Sequence, residues 1–114
     1  MKNDVSPFNR YRNMWIMVFF DLPTDTKTER KEAARFRKAL LKDGFVMFQF
    51  SVYFRFCTCR EMADLHIQRI KKVLPSKGKI SILAVTDHQF GKMELFIGRK
   101  VDQSIERPQQ LQLF

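Results

Sequence analysis

From Met14 to Phe20 seven consecutive residues are apolar. A segment with no polar side of its own must be buried on both faces, and this one is far shorter than the roughly 20 residues that cross a bilayer. It reads as a central β-strand that ends at Asp21 and is stopped by Pro23. Whatever sheet contains it needs cover on both sides.

The rest of the chain supplies that sheet. Thr26 followed by Glu29 is a capping box, and the helix it opens is expected to run over 26–43, with Gly44 as its left-handed C-terminal residue. Ala33, Phe36 and Leu40 share the face that packs on the sheet, with Arg30, Arg37 and Leu41 at its edge. Val46, Phe48, Phe50, Val52, Phe54 and Phe56 then alternate with polar residues, a period of two that specifies strand. The run is long for one strand, so two short strands meeting at a kink near Gln49 to Ser51 are expected. Thr58 with Glu61 repeats the capping-box pattern and opens a second helix over 59–74, ended by Pro75. Lys77, Gly78 and Lys79 turn the chain into a β-branched strand over 80–86. After the Thr86 to Phe90 turn and Gly91, a short apolar segment spans Met93 to Ile97.

This order gives one α+β domain over 14–97: a ferredoxin-like βαββαβ antiparallel sheet with both helices on one face. Residues 1–13 read as a flexible N-terminal arm, and 98–114 as an extended linker followed by a terminal alternating strand, Leu111 to Phe114. With 12 phenylalanines in 114 residues, the helix-free face is too apolar to remain in water, and a second copy of the chain is its simplest cover.

Charge points to the partner. The formal net charge is +9 with a pI near 9.9. The surplus is spread over both halves of the chain, as expected for a folded domain that binds a polyanion such as nucleic acid. Lys27, Lys31, Arg35, Lys38 and Lys42 fall within about 80° on the solvent side of the first helix, at 100° per residue. Glu32 and Asp43 sit apart from this stripe, whose uniform sign suits phosphate contacts. Cys57 and Cys59 are too close in sequence for an unstrained bridge, and they lack the further Cys or His of a zinc site. They read as reduced thiols of a cytoplasmic protein. No membrane span or secretion signal is expected. His66 and His88 have no partners at ligand or triad spacing and read as structural or solvated, and no phosphate-binding glycine loop occurs.

Asp21, at the end of an otherwise apolar strand, reads on its chemistry alone as a turn-forming residue ahead of Pro23, or as a carboxylate able to hold a hard cation such as Mg²⁺. One carboxylate rarely makes a site alone, but a residue near a twofold axis is presented twice. Lys42 to Phe48 also loosely echoes the RNA-recognition-motif signature, with Val18 to Leu22 echoing its companion strand. The alternative is therefore an RNA-binding module without catalysis. In that module the signature occupies the third strand with its aromatics facing solvent, whereas here the segment starts at a helix C-cap.

Val18-Phe19-Phe20-Asp21-Leu22, the basic helix with Arg30 and Lys31 near its start, Gly44, and Gln49-Phe50-Ser51-Val52-Tyr53 together resemble the Cas2 family. This is the small CRISPR-associated subunit of the spacer-acquisition complex, and the similarity runs from Met14 to Ile97. Thr86-Asp87-His88-Gln89-Phe90 is similar to members that accompany a single-protein RNA-guided effector nuclease. The resemblance implies a ferredoxin-like homodimer whose C-terminal strand is exchanged onto the partner's sheet. It implies a Mg²⁺-dependent endoribonuclease or DNA nuclease, with single-stranded RNA or double-stranded DNA as partners. It also implies a scaffold that bridges the CRISPR integrase subunits and holds the spacer duplex. By position Asp21 is the metal-binding and catalytic aspartate, with Ser51 and Arg30 as further catalytic candidates. Phe20 stands where family members often carry tyrosine, so that hydroxyl is absent.

Overall fold

The structure, a computed structural model, describes residues 12–101. Its elements are β1 (Met14–Asp21), α1 (Lys27–Lys42), β2 (Val46–Gln49), β3 (Val52–Cys57), α2 (Arg60–Lys71), β4 (Lys79–Thr86), α3 (Asp87–Phe90), β5 (Phe96–Ile97) and β6 (Lys100–Val101). The first four strands form an antiparallel sheet in the order β2-β3-β1-β4, the ferredoxin-like arrangement, with β1 paired on both sides.

Side-chain alternation along β1 divides the core in two. Met14, Ile16, Val18 and Phe20 face the helices and are buried with Phe36, Leu40, Tyr53, Ala63 and Ile70. Trp15 and Met17 point the other way and are buried with Phe54 and Phe90, with Phe48, Phe56 and Val85 packed around them. The even-numbered aromatics of β2 and β3 thus serve the helix-free layer, because Val46 and Phe54 are register partners beside Met17.

That layer corrects the expectation of a wholly uncovered face. The four-residue helix α3, read from sequence as a turn, folds back so that Phe90 stacks on Trp15 with centroids 4.1 Å apart and planes 11° from parallel. The indole Nε1 donates to the buried Asp87 Oδ1 at 2.7 Å. Cover stops there. Further along the same face, Phe19 is 36% exposed and Leu83 50%.

Helix α1 forms as expected. Glu29 N donates to Thr26 Oγ1 at 3.1 Å, Thr26 N donates to Glu29 Oε1 at 3.1 Å, and Gly44 follows the C-cap at φ 89°. Helix α2 differs at both ends. Its N-cap is Cys59, and Thr58, one residue too early, donates instead to Met62 Sδ at 3.7 Å. It ends at Lys71 rather than 74, because Lys72 N and Val73 N turn to the i−3 carbonyls of Arg69 and Ile70.

The kink expected near Gln49 to Ser51 is present. Ser51 adopts φ 69° between β2 and β3, and its carbonyl accepts Phe20 N–H at 3.1 Å. Residues 98–101 are not linker: Gly98, at φ 64°, turns β5 into β6. Residues 1–11 of the expected arm, the remaining linker and the exchanged strand at Leu111 to Phe114 lie outside the described residues.

Candidate functional site

Asp21 is the last residue of β1 and is exposed. Alternation places it on the helix-free face with Met17 and Phe19, beyond the end that Phe90 covers, and opposite Lys79 in the β4 register. The backbone around it is closely packed. A Cβ on Gly78, which sits at φ 96°, would lie 2.7 Å from the Asp21 carbonyl oxygen and 2.8 Å from Leu22 Cδ2. Gly78 therefore lets the start of β4 close against the strand end. From sequence it read only as part of a turn; its role needs the antiparallel pairing of β1 with β4.

The other two catalytic candidates sit near Asp21 as supports. Arg30 Nη1 donates to the carbonyls of Thr24 at 3.0 Å and Asp25 at 3.2 Å, which braces the loop leaving Asp21. Ser51 meets β1 through its carbonyl, at the residue before Asp21. Among the described residues, no cluster of three or more His, Cys, Asp and Glu could hold a metal ion. At the end of β1 one chain thus offers the Asp21 carboxylate alone, which fits a hydrated Mg²⁺ only with oxygen ligands from elsewhere, a second copy or a substrate phosphate.

The basic stripe lies on the opposite side of the molecule. Ala33, Phe36 and Leu40 face the sheet, so the exposed Lys27, Lys31, Lys38 and Lys42 point away from it and from Asp21. Arg35 departs from the expected pattern. Its Nη2 bonds Glu32 Oε1 at 3.2 Å, an i,i−3 pair, and its Nη1 reaches the Val73 carbonyl at 3.4 Å. Glu32 therefore partly neutralises a stripe that read as uniformly positive.

His66 is structural, as read from sequence. It is buried, and its Nδ1 lies 2.7 Å from Asp43 Oδ2, while Arg69 Nη1 donates to Asp43 Oδ1 at 2.9 Å. Arg55 Nε donates to the Asp43 carbonyl at 2.8 Å, tying the end of α1 to β3. Burial raises the Asp43 pKa, but the His66 and Arg69 hydrogen bonds outweigh it and hold the carboxyl below its ordinary value. A depressed carboxyl stabilises the fold above its unfolded-state pKa and loses that contribution as pH falls through the folded-state value. Wild-type stability should therefore decline below about pH 4, and Asp43→Asn should lose about 1–3 kcal/mol near neutrality, with a flatter acid limb in urea titrations. Burial pushes the Cys57 thiol up, against the lowering influence of Arg55, which suits an inert core thiol. Both cysteines are free.

Fold and site define a basic, ferredoxin-like α+β protein with a lone strand-end carboxylate beside an open apolar patch. The family model described as CRISPR associated protein Cas2 matches residues 14–93. A protein of Flavobacterium psychrophilum named CRISPR-associated endoribonuclease Cas2 is 58% identical over 106 residues, covering 93% of this chain and 92% of its own. Proteins of the same name from Parvibaculum lavamentivorans and Paracidovorax avenae are 48% and 46% identical, covering 89% and 91% of this chain and 100% and 96% of their own. The chain belongs to the CRISPR-associated Cas2 family. The RNA-recognition-motif alternative loses its basis, since Lys42 to Phe48 runs from the end of α1 into the edge strand β2 and its Phe45 is only 2% exposed. Among the described residues no helix is long and apolar enough to cross a membrane.

Proposed function

We propose that this chain acts in CRISPR adaptation as a homodimer and cleaves nucleic acid, RNA or DNA, in a Mg²⁺-dependent reaction. Two copies meet through their helix-free faces, so that the two Asp21 carboxylates converge on one ion. The observation that carries this reading is the position of Asp21, exposed at the rim of the only partly covered apolar face marked by Phe19 and Leu83. The curated relatives, named endoribonucleases, support the activity.

A bound Mg²⁺ supplies Lewis-acid polarisation of the scissile phosphate and a more acidic water. The chain's own part is to hold the carboxylate still, through the Gly78 packing and the Arg30 brace, and to exclude water beside it with the closed apolar face. Phe20 contributes no hydroxyl. Lys27, Lys31, Lys38 and Lys42 neutralise phosphates along the outer face, which suits a second role: a scaffold that holds a spacer duplex while bridging integrase subunits. The exchange of the C-terminal strand between protomers, and a reducing cytoplasm that keeps Cys57 and Cys59 free, belong to the same proposal.

The test is Leu83→Glu. Two carboxylates buried at a twofold interface oppose association, so this variant should sediment as a monomer at micromolar concentration and lose Mg²⁺-dependent cleavage. A monomeric variant that still cleaves overturns the paired-carboxylate reading, as does a wild type that is itself monomeric.

A further inference from the structure

Phe50 is 78% exposed, more than any other large apolar side chain described. Sequence alternation assigns it to the core with Phe48 and Phe54, but the two-residue connection between β2 and β3 throws it outward. The connection is held in an uncommon conformation, with Ser51 at φ 69° and its carbonyl bound to Phe20 N–H. A β-hydroxyl residue rarely adopts that backbone, so the outward setting of the ring costs local strain. On its inner side the ring meets Arg37 of α1, whose guanidinium lies 5.1 Å from the Phe50 centroid and 5.6 Å from that of Phe20. One side of a positioned aromatic ring is thus backed by a cation, and the rest faces solvent.

We propose that Phe50, backed by Arg37, is a stacking platform for an unpaired nucleobase of a single-stranded nucleic acid. The inference rests on the nucleic-acid reading above and specifies its substrate. Every base presents a π face, and an exposed aromatic beside an arginine is the arrangement on which unpaired bases stack without regard to sequence. The surroundings favour a nucleotide over a protein partner. The feature is a single ring rather than a groove, its neighbour is cationic, and the chain carries a charge of +9. Its location adds a consequence. Because Ser51 is bonded to Phe20, the residue before Asp21, a base stacked on Phe50 belongs to a strand passing the end of β1. The platform therefore favours unpaired nucleotides at the strand end that carries Asp21, on the side of the sheet that faces α1. Stacking does not read the sugar, so RNA and DNA share the chemistry.

The experiment measures dissociation constants by fluorescence anisotropy, without divalent metal, for wild type, Phe50→Ala, Phe50→Leu and Phe50→Tyr. The probes are fluorescein-labelled oligo-U RNA, oligo-dT DNA, the same DNA with abasic positions, and a blunt DNA duplex. Phe50→Ala and Phe50→Leu should bind the single strands about 5- to 100-fold more weakly, the range found when stacking aromatics are truncated. Phe50→Tyr should match wild type, duplex affinity should not change, and abasic DNA should bind wild type and Phe50→Ala alike. The RNA and DNA arms show which strand gains more. Equal affinity of wild type and Phe50→Ala for single strands overturns the proposal, as does the same loss on duplex or a wild type that binds no single strand. Failure of the cleavage reading registers elsewhere, in the Asp21 and Leu83 variants, and leaves the Phe50 comparison standing.

Discussion

Asp21→Asn protein is expected to lose Mg²⁺-dependent cleavage by about 100-fold or more while remaining a dimer. The substitution keeps the size of the side chain and one carbonyl oxygen but removes the charge that a hard cation requires. Several kcal/mol of metal-supplied charge stabilisation go with it, and about 2.7 kcal/mol already corresponds to a hundredfold in rate. Folding should be untouched, because Asp21 is exposed and the packing at the strand end uses its backbone rather than its carboxylate. In the proposed dimer, removing the two facing Asp21 charges should leave metal-free dimerisation equal or tighter, and duplex affinity should likewise hold or rise on a basic protein. Initial cleavage rates, sedimentation velocity and duplex binding measured together check all three. Wild-type cleavage by the variant would move the catalytic site elsewhere.

The largest effect on stability is expected from Trp15→Ala. Trp15 is 1% exposed, stacks on Phe90, meets Phe54 and Phe56 edge-on with centroids 5.3 and 5.1 Å away, and satisfies Asp87. Truncating a buried tryptophan costs about 3–5 kcal/mol, a large share of the 5–15 kcal/mol available to a typical domain. Here the buried Asp87 carboxylate also loses a donor. Trp15→Phe separates the two contributions, since it keeps an aromatic stack on Phe90 but not the indole N–H. It should cost about 1–3 kcal/mol, read from the urea midpoint beside that of Trp15→Ala. Loss of α3 would also widen the open apolar face, so Trp15→Ala should aggregate at concentrations where wild type does not.

Legibility in the sequence followed the reach of each signal. The β1 run at Met14 to Phe20 and the α1 capping box at Thr26 and Glu29 were readable because neighbours within four residues determine them. The same pattern misled at Thr58 and Glu61, where the chain starts the helix from Cys59. It was missed at Thr86 and Gln89, where a reciprocal box opens α3. A four-residue helix shows no period, so the cap pattern was the only signal for it, and the consequence, Phe90 over Trp15, depends on a long-range contact. The pairing of Arg35 with Glu32 escaped a wheel that sorted charges by angle, since long side chains reach across it. Asp21 was legible as a strand end and through its family resemblance. Arg30 and Ser51 came with the same resemblance, but Gly78 did not, because it reaches Asp21 only through the antiparallel pairing of β1 with β4. The outward Phe50 was hidden by an alternation that the left-handed Ser51 interrupts.

If two Asp21 carboxylates share one ion, the number of ions bound per chain reveals it. Mn²⁺, as the spin-active substitute for Mg²⁺, can be titrated into the protein bound to non-cleavable 2′-O-methyl RNA and counted by electron paramagnetic resonance. Wild type should bind one ion tightly for every two chains, and Asp21→Asn none. One ion per chain, or the same binding in both proteins, would contradict it.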